Sequence, residues 1–62
     1  MQNRHPKEPR WIPASERLPP PGEFVRYRTK EFSAAGRLSQ KGIWLDSTGK
    51  PEVAEVLEWL EQ

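Results

Sequence analysis

Few side chains in this sequence could do chemistry, and none has the neighbours that catalysis requires. The single histidine, His5, lies among prolines near the start, and no second histidine could complete a triad with a serine. Gly49 and Lys50 resemble the end of a phosphate-binding loop, but Pro51 stands where that loop needs a hydroxyl group. We therefore expect no catalytic residue, no cofactor and no enzymatic activity.

Carboxylates recur every third residue near the end of the chain, at Glu52, Glu55, Glu58 and Glu61. This spacing spreads them around a helix or alternates them across a strand, whereas a metal or acid/base site needs them close together. The pattern favours a solvated acidic surface, and we expect no metal site.

Basic residues offer a better candidate site. Arg26, Arg28 and Lys30 share one strand parity, and Arg17 and Arg37 could lie near them. Interleaved aromatic residues would supply stacking faces for single-stranded nucleic acid: Phe24, Tyr27 and Phe32. Alternate arginines are equally an ordinary way to keep one face of a sheet hydrated.

Three tryptophans, Trp11, Trp44 and Trp59, are many for 62 residues. Tryptophan is common at binding hot spots, but in so small a domain it first supplies core volume, so we expect at least two in the core. The predicted binding residues are Arg17, Arg26, Tyr27, Arg28, Arg37, Trp44 and Trp59.

Prolines dominate the first third of the chain, with six of the seven before residue 22. Residues 1–10 read as a flexible arm, which Trp11 and Ile12 would anchor to a domain spanning residues 11–62. Residues 13–18 suit one helical turn with Leu18 pointing inward. Pro21-Gly22 suits the centre of a type II turn.

Strands are predicted over residues 23–29, 32–39 and 43–45, with turns at 30–31, 40–42 and 46–51. Gly36 indicates a bulge or a close backbone contact. Residues 51–62 are ambiguous, because their valines and leucines have helical spacing while the segment is short and ends without a cap.

Composition bounds the fold further. The chain is 34% hydrophobic and has no cysteine, so neither a disulfide nor a thiolate metal site could stabilise it. Its formal charge of +1 divides into a basic first half and an acidic second half. No apolar run could cross a membrane and no signal peptide is evident, which indicates a cytoplasmic protein without membrane contact.

One family resembles this sequence. The stretch Trp11-Ile-Pro-Ala-Ser-Glu-Arg-Leu-Pro19 followed by Pro21-Gly-Glu-Phe-Val25 is similar to the W-I-x-x-x-[DE]-R-L-P-x-x-G-x-x-V opening of domain of unknown function 551. That family comprises short bacteriophage and prophage proteins. Later matches at Gly36, 42–44, Asp46 and Gly49 extend the similarity over most of residues 11–60. Glu58 stands where the family commonly has a histidine.

The resemblance implies a mainly β fold. It also implies that the protein is expressed in a bacterial cytoplasm. We expect an antiparallel sheet of three to four strands, with an SH3-like arrangement as one option. It favours a strand over 53–59, with a short helix as the alternative.

Such a protein would bind a bacterial host protein or complex, for example a CRISPR effector, and modulate or inhibit it. The alternatives are nucleic-acid binding through the arginine stripe and a structural role, as a homodimer paired through an edge strand. The sequence leaves monomer and homodimer open.

Overall fold

Apolar and charged side chains alternate over residues 25–28, and this segment forms the middle strand of the fold. The computed structural model describes residues 9–61 and forms one antiparallel sheet of five strands: β1 (Arg10–Pro13), β2 (Val25–Arg28), β3 (Ser33–Leu38), β4 (Trp44–Asp46) and β5 (Glu58–Glu61). Their order across the sheet is β1-β5-β2-β3-β4, so β2 is the middle strand. The predicted antiparallel β fold is confirmed, with one strand more than expected, while the SH3-like arrangement stays a prediction.

One face of this sheet carries the core. Ile12, Val25, Tyr27 and Trp59 project from it and are buried together with Val56, which comes from the loop between β4 and β5. Ala34 and Trp44 pack against this cluster. Because side chains alternate along a strand, the residues between these positions face the opposite side of the sheet.

The turns predicted at 30–31, 40–42 and 46–51 are present, and a side-chain oxygen closes each of the three. The Thr29 hydroxyl accepts hydrogen bonds from the amides of residues 31 and 32, and the Ser39 hydroxyl from those of 41 and 43. Asp46 Oδ1 accepts from the amides of Thr48 and Lys50 and from the Thr48 hydroxyl. The Thr48 hydroxyl, followed by the Lys50 amide, lowers the pKa of the Asp46 carboxyl.

Two glycines act as the sequence indicates. Gly22 has φ of 89°, and the Glu23 amide donates to the Pro20 carbonyl, which confirms a turn centred on Pro21-Gly22. At Gly36 a Cβ would lie 2.0 Å from the Leu45 carbonyl oxygen and 2.9 Å from Tyr27 Cε2. The close backbone contact predicted for Gly36 is therefore confirmed.

The first segment differs from its prediction in two ways. Arg10 belongs to β1, so the folded unit begins before residue 11, and residues 1–8 of the predicted arm lie outside the described part of the chain. Residues 14–16 form a turn, but Leu18 is 47% exposed and Pro19 is buried instead. The inward position predicted for Leu18 is wrong, because the turn ends before that residue.

The last segment is a strand, as the family resemblance implies, but only from Glu58 onward. Residues 52–57 form an irregular crossover that passes over the core face and contributes Val56. The alternative helix does not form, because Trp59 pairs with Tyr27 and Ile12 on the two neighbouring strands. Across residues 9–61 no helix long and apolar enough to span a membrane is found.

We expect Gly36→Ala to destabilise the fold strongly. The new methyl group would overlap backbone as well as the Tyr27 ring, and such overpacking costs about 1–3 kcal/mol or more. Urea unfolding followed by tryptophan fluorescence measures the loss, with Ser33→Ala at the exposed start of β3 as the control. Equal stability of the two variants would contradict the close approach.

Candidate functional site

The face of the sheet opposite the core gathers three of the five arginines among residues 9–61. We call it the open face; it comprises Trp11, Phe24, Arg26, Arg28, Ala35, Arg37, Leu45, Glu58 and Leu60. All of these side chains are exposed or half-exposed. Three of the four predicted binding arginines therefore lie together, accompanied by two aromatic rings.

Arg28 joins three strands across the open face. Its guanidinium lies 3.9 Å from the centre of the Trp11 ring on β1, and its Nε donates to Glu58 Oε1 on β5. Arg28 and Glu58 are also direct cross-strand neighbours. With both its charge and its planar surface in use, Arg28 acts as a clamp that holds β1 and β5 to β2.

Arg37 occupies the other end of the open face. Its guanidinium lies 5.8 Å from the centre of the Phe24 ring, and its backbone pairs with Leu45 on β4. Phe24 is 53% exposed, so this contact shields only part of the ring. The pair therefore presents an aromatic and cationic surface to solvent.

Arg26 lies between these two arrangements, on the middle strand. It pairs with Ala35 of β3, and continuing the Tyr27–Trp59 register by one residue places it opposite Leu60 of β5. Its side chain is exposed and makes no hydrogen bond or ion pair with any of residues 9–61. Within the described part of the chain, an unpaired guanidinium with apolar cross-strand neighbours thus stands at the centre of the open face.

Arg17 does not belong to this surface. It follows the turn after β1 and donates from Nη2 to Glu61 Oε2 at 2.8 Å, with its guanidinium 5.5 Å from the Trp59 ring centre. Its backbone carbonyl accepts the indole hydrogen bond of Trp59 at 2.9 Å. Arg17 therefore fixes the loop between β1 and β2 over the core, on the opposite side from Arg26.

The other predicted binding residues are part of the core. Tyr27 is fully buried and Trp59 is 3% exposed, while Trp44 is half-buried with its ring centre 5.3 Å from that of Tyr27. Tyr27 and Trp59 are therefore not available for surface contacts. The prediction that at least two tryptophans serve the core is confirmed by Trp44 and Trp59.

The Tyr27 hydroxyl provides the polar contact that its burial requires. It donates to Glu52 Oε1 at 2.6 Å, and Glu52 Oε2 accepts from the Ala54 amide. Glu52 thereby ties the β4–β5 crossover to the core. Burial, followed by the Glu52 hydrogen bond and charge, raises the pKa of Tyr27 well above its ordinary value of about 10.

Lys30, predicted as part of the basic stripe, lies beyond the end of β2 in the hairpin turn. There it lines a shallow cleft of about 260 Å³ together with Thr29, Glu31, Ala54, Glu55 and Leu57.

Within residues 9–61, no three His, Cys, Asp or Glu side chains are close enough together to hold a metal ion.

Sequence reasoning missed five members of the open face: Trp11, Ala35, Leu45, Glu58 and Leu60. Trp11 was expected to serve as an anchor and Glu58 as part of a solvated acidic surface. The parity of Arg26, Arg28 and Phe24 on β2 was visible, but the residues beside them come from strands far apart in sequence.

The fold and this surface define a small all-β protein with an arginine-aromatic sheet face. Comparisons of the chain with protein-family models, curated proteins and solved structures found no match. The resemblance to domain of unknown function 551 therefore rests on the residues quoted above.

The only tyrosine of the chain allows a test of the burial of Tyr27 together with its Glu52 contact. Because its pKa is raised, the folded state holds the phenol proton more tightly than the unfolded chain does. Stability should be unaffected by this group below about pH 10 and should fall as the pH rises further. Phenolate absorbance should appear at higher pH in the native protein than in the urea-unfolded chain. Titration of the two forms at the same pH would contradict this expectation.

Arg28 and Arg26 should respond differently to the same change. Arg28→Lys loses the planar stacking on Trp11 and the Nε hydrogen bond, and should lower the free energy of unfolding by up to about 1 kcal/mol. Arg26→Lys should leave it unchanged. Urea unfolding curves of both variants provide the measurement, and equal midpoints would show that Arg28 is not a clamp.

Proposed function

We propose that this chain is a non-enzymatic, phage-encoded interaction protein that binds a bacterial host protein complex in the cytoplasm and modulates or inhibits it. The target would be a defence complex, such as a CRISPR effector, or a complex taken over during infection. Phage origin and cytoplasmic expression rest on the resemblance to domain of unknown function 551. The open face is the observation that supports binding.

The open face has the composition of a protein interface. Aromatic residues and arginine are enriched at the centres of such interfaces, and here they alternate with apolar residues: Leu60 and Ala35 lie on either side of Arg26, and Leu45 pairs with Arg37. None of the buried core residues lies on this face, so substitutions there could be accepted without loss of the fold.

Polar side chains that could otherwise do chemistry are used to hold the fold together. Tyr27 and Glu52 bind each other, and Thr29, Ser39 and Asp46 close the hairpins. This use supports a role in binding over a role in catalysis. The protein would act stoichiometrically, with inhibition complete at a fixed molar ratio to its target.

Nucleic-acid binding through the same face is the second candidate, favoured by exposed Phe24 beside Arg37 and Arg26. Affinity for a single strand, however, comes from several phosphate contacts and from free stacking surfaces. Arg28 is already paired with Glu58 and covers one side of Trp11. These contacts reduce both contributions and favour a protein partner.

A homodimer formed through an edge strand has weaker support. β1, at one edge, is four residues long and ends in Pro13, which cannot donate a backbone hydrogen bond. At the other edge, residues 50–52 run beside β4 through the Leu45–Pro51 bridge and the hydrogen bond from the Glu52 amide to the Trp44 carbonyl. Both features hinder strand addition.

The test is capture from a bacterial lysate with three forms of the tagged protein. Wild type should recover one partner at stoichiometric level, and Phe24→Ser on the open face should reduce its recovery at least tenfold. Val53→Ser is the matched control, because Val53 is 98% exposed and lies in the β4–β5 crossover. Equal recovery by all three forms would exclude the open face as the binding surface.

A further inference from the structure

The arginines of the open face differ in whether their charge is already used. Among residues 9–61, Glu58 is the only acidic side chain on this face, and Arg28 occupies it through an ion pair. Arg37 has no ion pair but stacks on Phe24, while Arg26 has neither a polar partner nor a stacked ring among the same residues. The described part of the face therefore keeps a net positive charge, and Arg26 on the middle strand is its least engaged arginine.

The central position of Arg26 on the open face makes its guanidinium important for binding. Hot spots lie near the centre of an interface, where surrounding contacts exclude water. Leu60 and Ala35 border Arg26 on the two neighbouring strands, and the Arg28–Trp11 and Arg37–Phe24 pairs lie farther out. A partner that covers this face would desolvate Arg26, and a buried charge must then be paired.

We infer that the partner presents a carboxylate that binds Arg26, flanked by apolar side chains that contact Leu60, Ala35 and Leu45. This inference rests on the proposed function and names the chemistry of the partner surface. A planar guanidinium binds a carboxylate through two parallel hydrogen bonds, a geometry that lysine cannot reproduce. An acidic protein segment with interspersed apolar residues is therefore the occupant that matches this face in charge and polarity.

The face is less suited to a nucleic-acid strand. Arg26 and Arg37 have no ion pair among residues 9–61 and correspond to roughly two phosphate contacts, which change the logarithm of affinity by about 1.4 for each tenfold change in salt. Leu60 and Ala35, on either side of Arg26, would gain little from a phosphate backbone. A protein segment can use these apolar residues and the charge together.

The test uses the wild-type chain and defined probes, followed by backbone amide chemical shifts. The first probe is a short peptide in which glutamates alternate with leucines, and its control has glutamine in place of each glutamate. The third probe is a thymidine oligonucleotide. We expect the glutamate peptide to shift the amides around Arg26, Ala35 and Leu60 and to bind at least tenfold more tightly than the glutamine peptide.

Variants then assign the effect to one side chain. Arg26→Glu should reduce binding of the glutamate peptide at least tenfold and Arg26→Lys by a smaller factor, both without changing the unfolding midpoint. Lys41→Glu makes the same charge change in the exposed β3–β4 turn and should have little effect. This comparison separates a local contact from the overall charge of the protein.

Several results would overturn the inference: equal binding of the two peptides, tighter binding of the oligonucleotide, absence of shifts at millimolar peptide, or equal losses in Arg26→Glu and Lys41→Glu. These results can be told apart from failure of the proposed function. If wild type captures a host partner that Arg26→Glu retains and Phe24→Ser loses, the open face binds a protein but not through a carboxylate on Arg26.

Discussion

The buried Tyr27 is the constraint on which the rest of the structure depends. Its ring lies on the middle strand and packs beside Trp44, and its backbone pairs with Ala34 and Trp59 on the two adjacent strands. A hydroxyl so deep in a small core requires a partner, and Glu52 supplies it from the crossover between β4 and β5. The same crossover places Val56 over the core, and backbone hydrogen bonds from Leu57 to Arg28 and from Glu52 to Trp44 join the Tyr27–Glu52 contact in connecting it to the sheet.

In this arrangement the two faces of the sheet have different roles. The core face carries Ile12, Val25, Tyr27 and Trp59, and Gly36 leaves the space that the Tyr27 ring needs. The open face is left with arginines, small apolar residues and two aromatic rings. Because the core does not depend on the exposed part of this surface, its composition can follow the requirements of a partner.

Local chemistry in the sequence was sufficient for the turns and for most strands. Proline and glycine at 21–22, the hydroxyls and the Asp46 carboxyl at the hairpin ends, and the alternation around Tyr27 each act over a few residues. Contacts between distant segments could not be predicted in this way. Tyr27 and Glu52 are 25 positions apart, and β1 is recognised as a strand only once Ile12 has Trp59 as its neighbour.

The candidate site also depends on contacts between distant segments that local sequence does not predict. Residue type and strand parity were enough to group Arg26 with Arg28, but these two side chains differ in what the fold has placed beside them. Trp11 and Glu58, from the first and last strands, occupy Arg28 and turn it into part of the framework. Arg26, two residues earlier on the same strand, lies opposite Ala35 and Leu60 and has no hydrogen bond or ion pair among residues 9–61. A binding residue is thus distinguished from a structural one by its neighbours across the sheet, which only the tertiary arrangement provides.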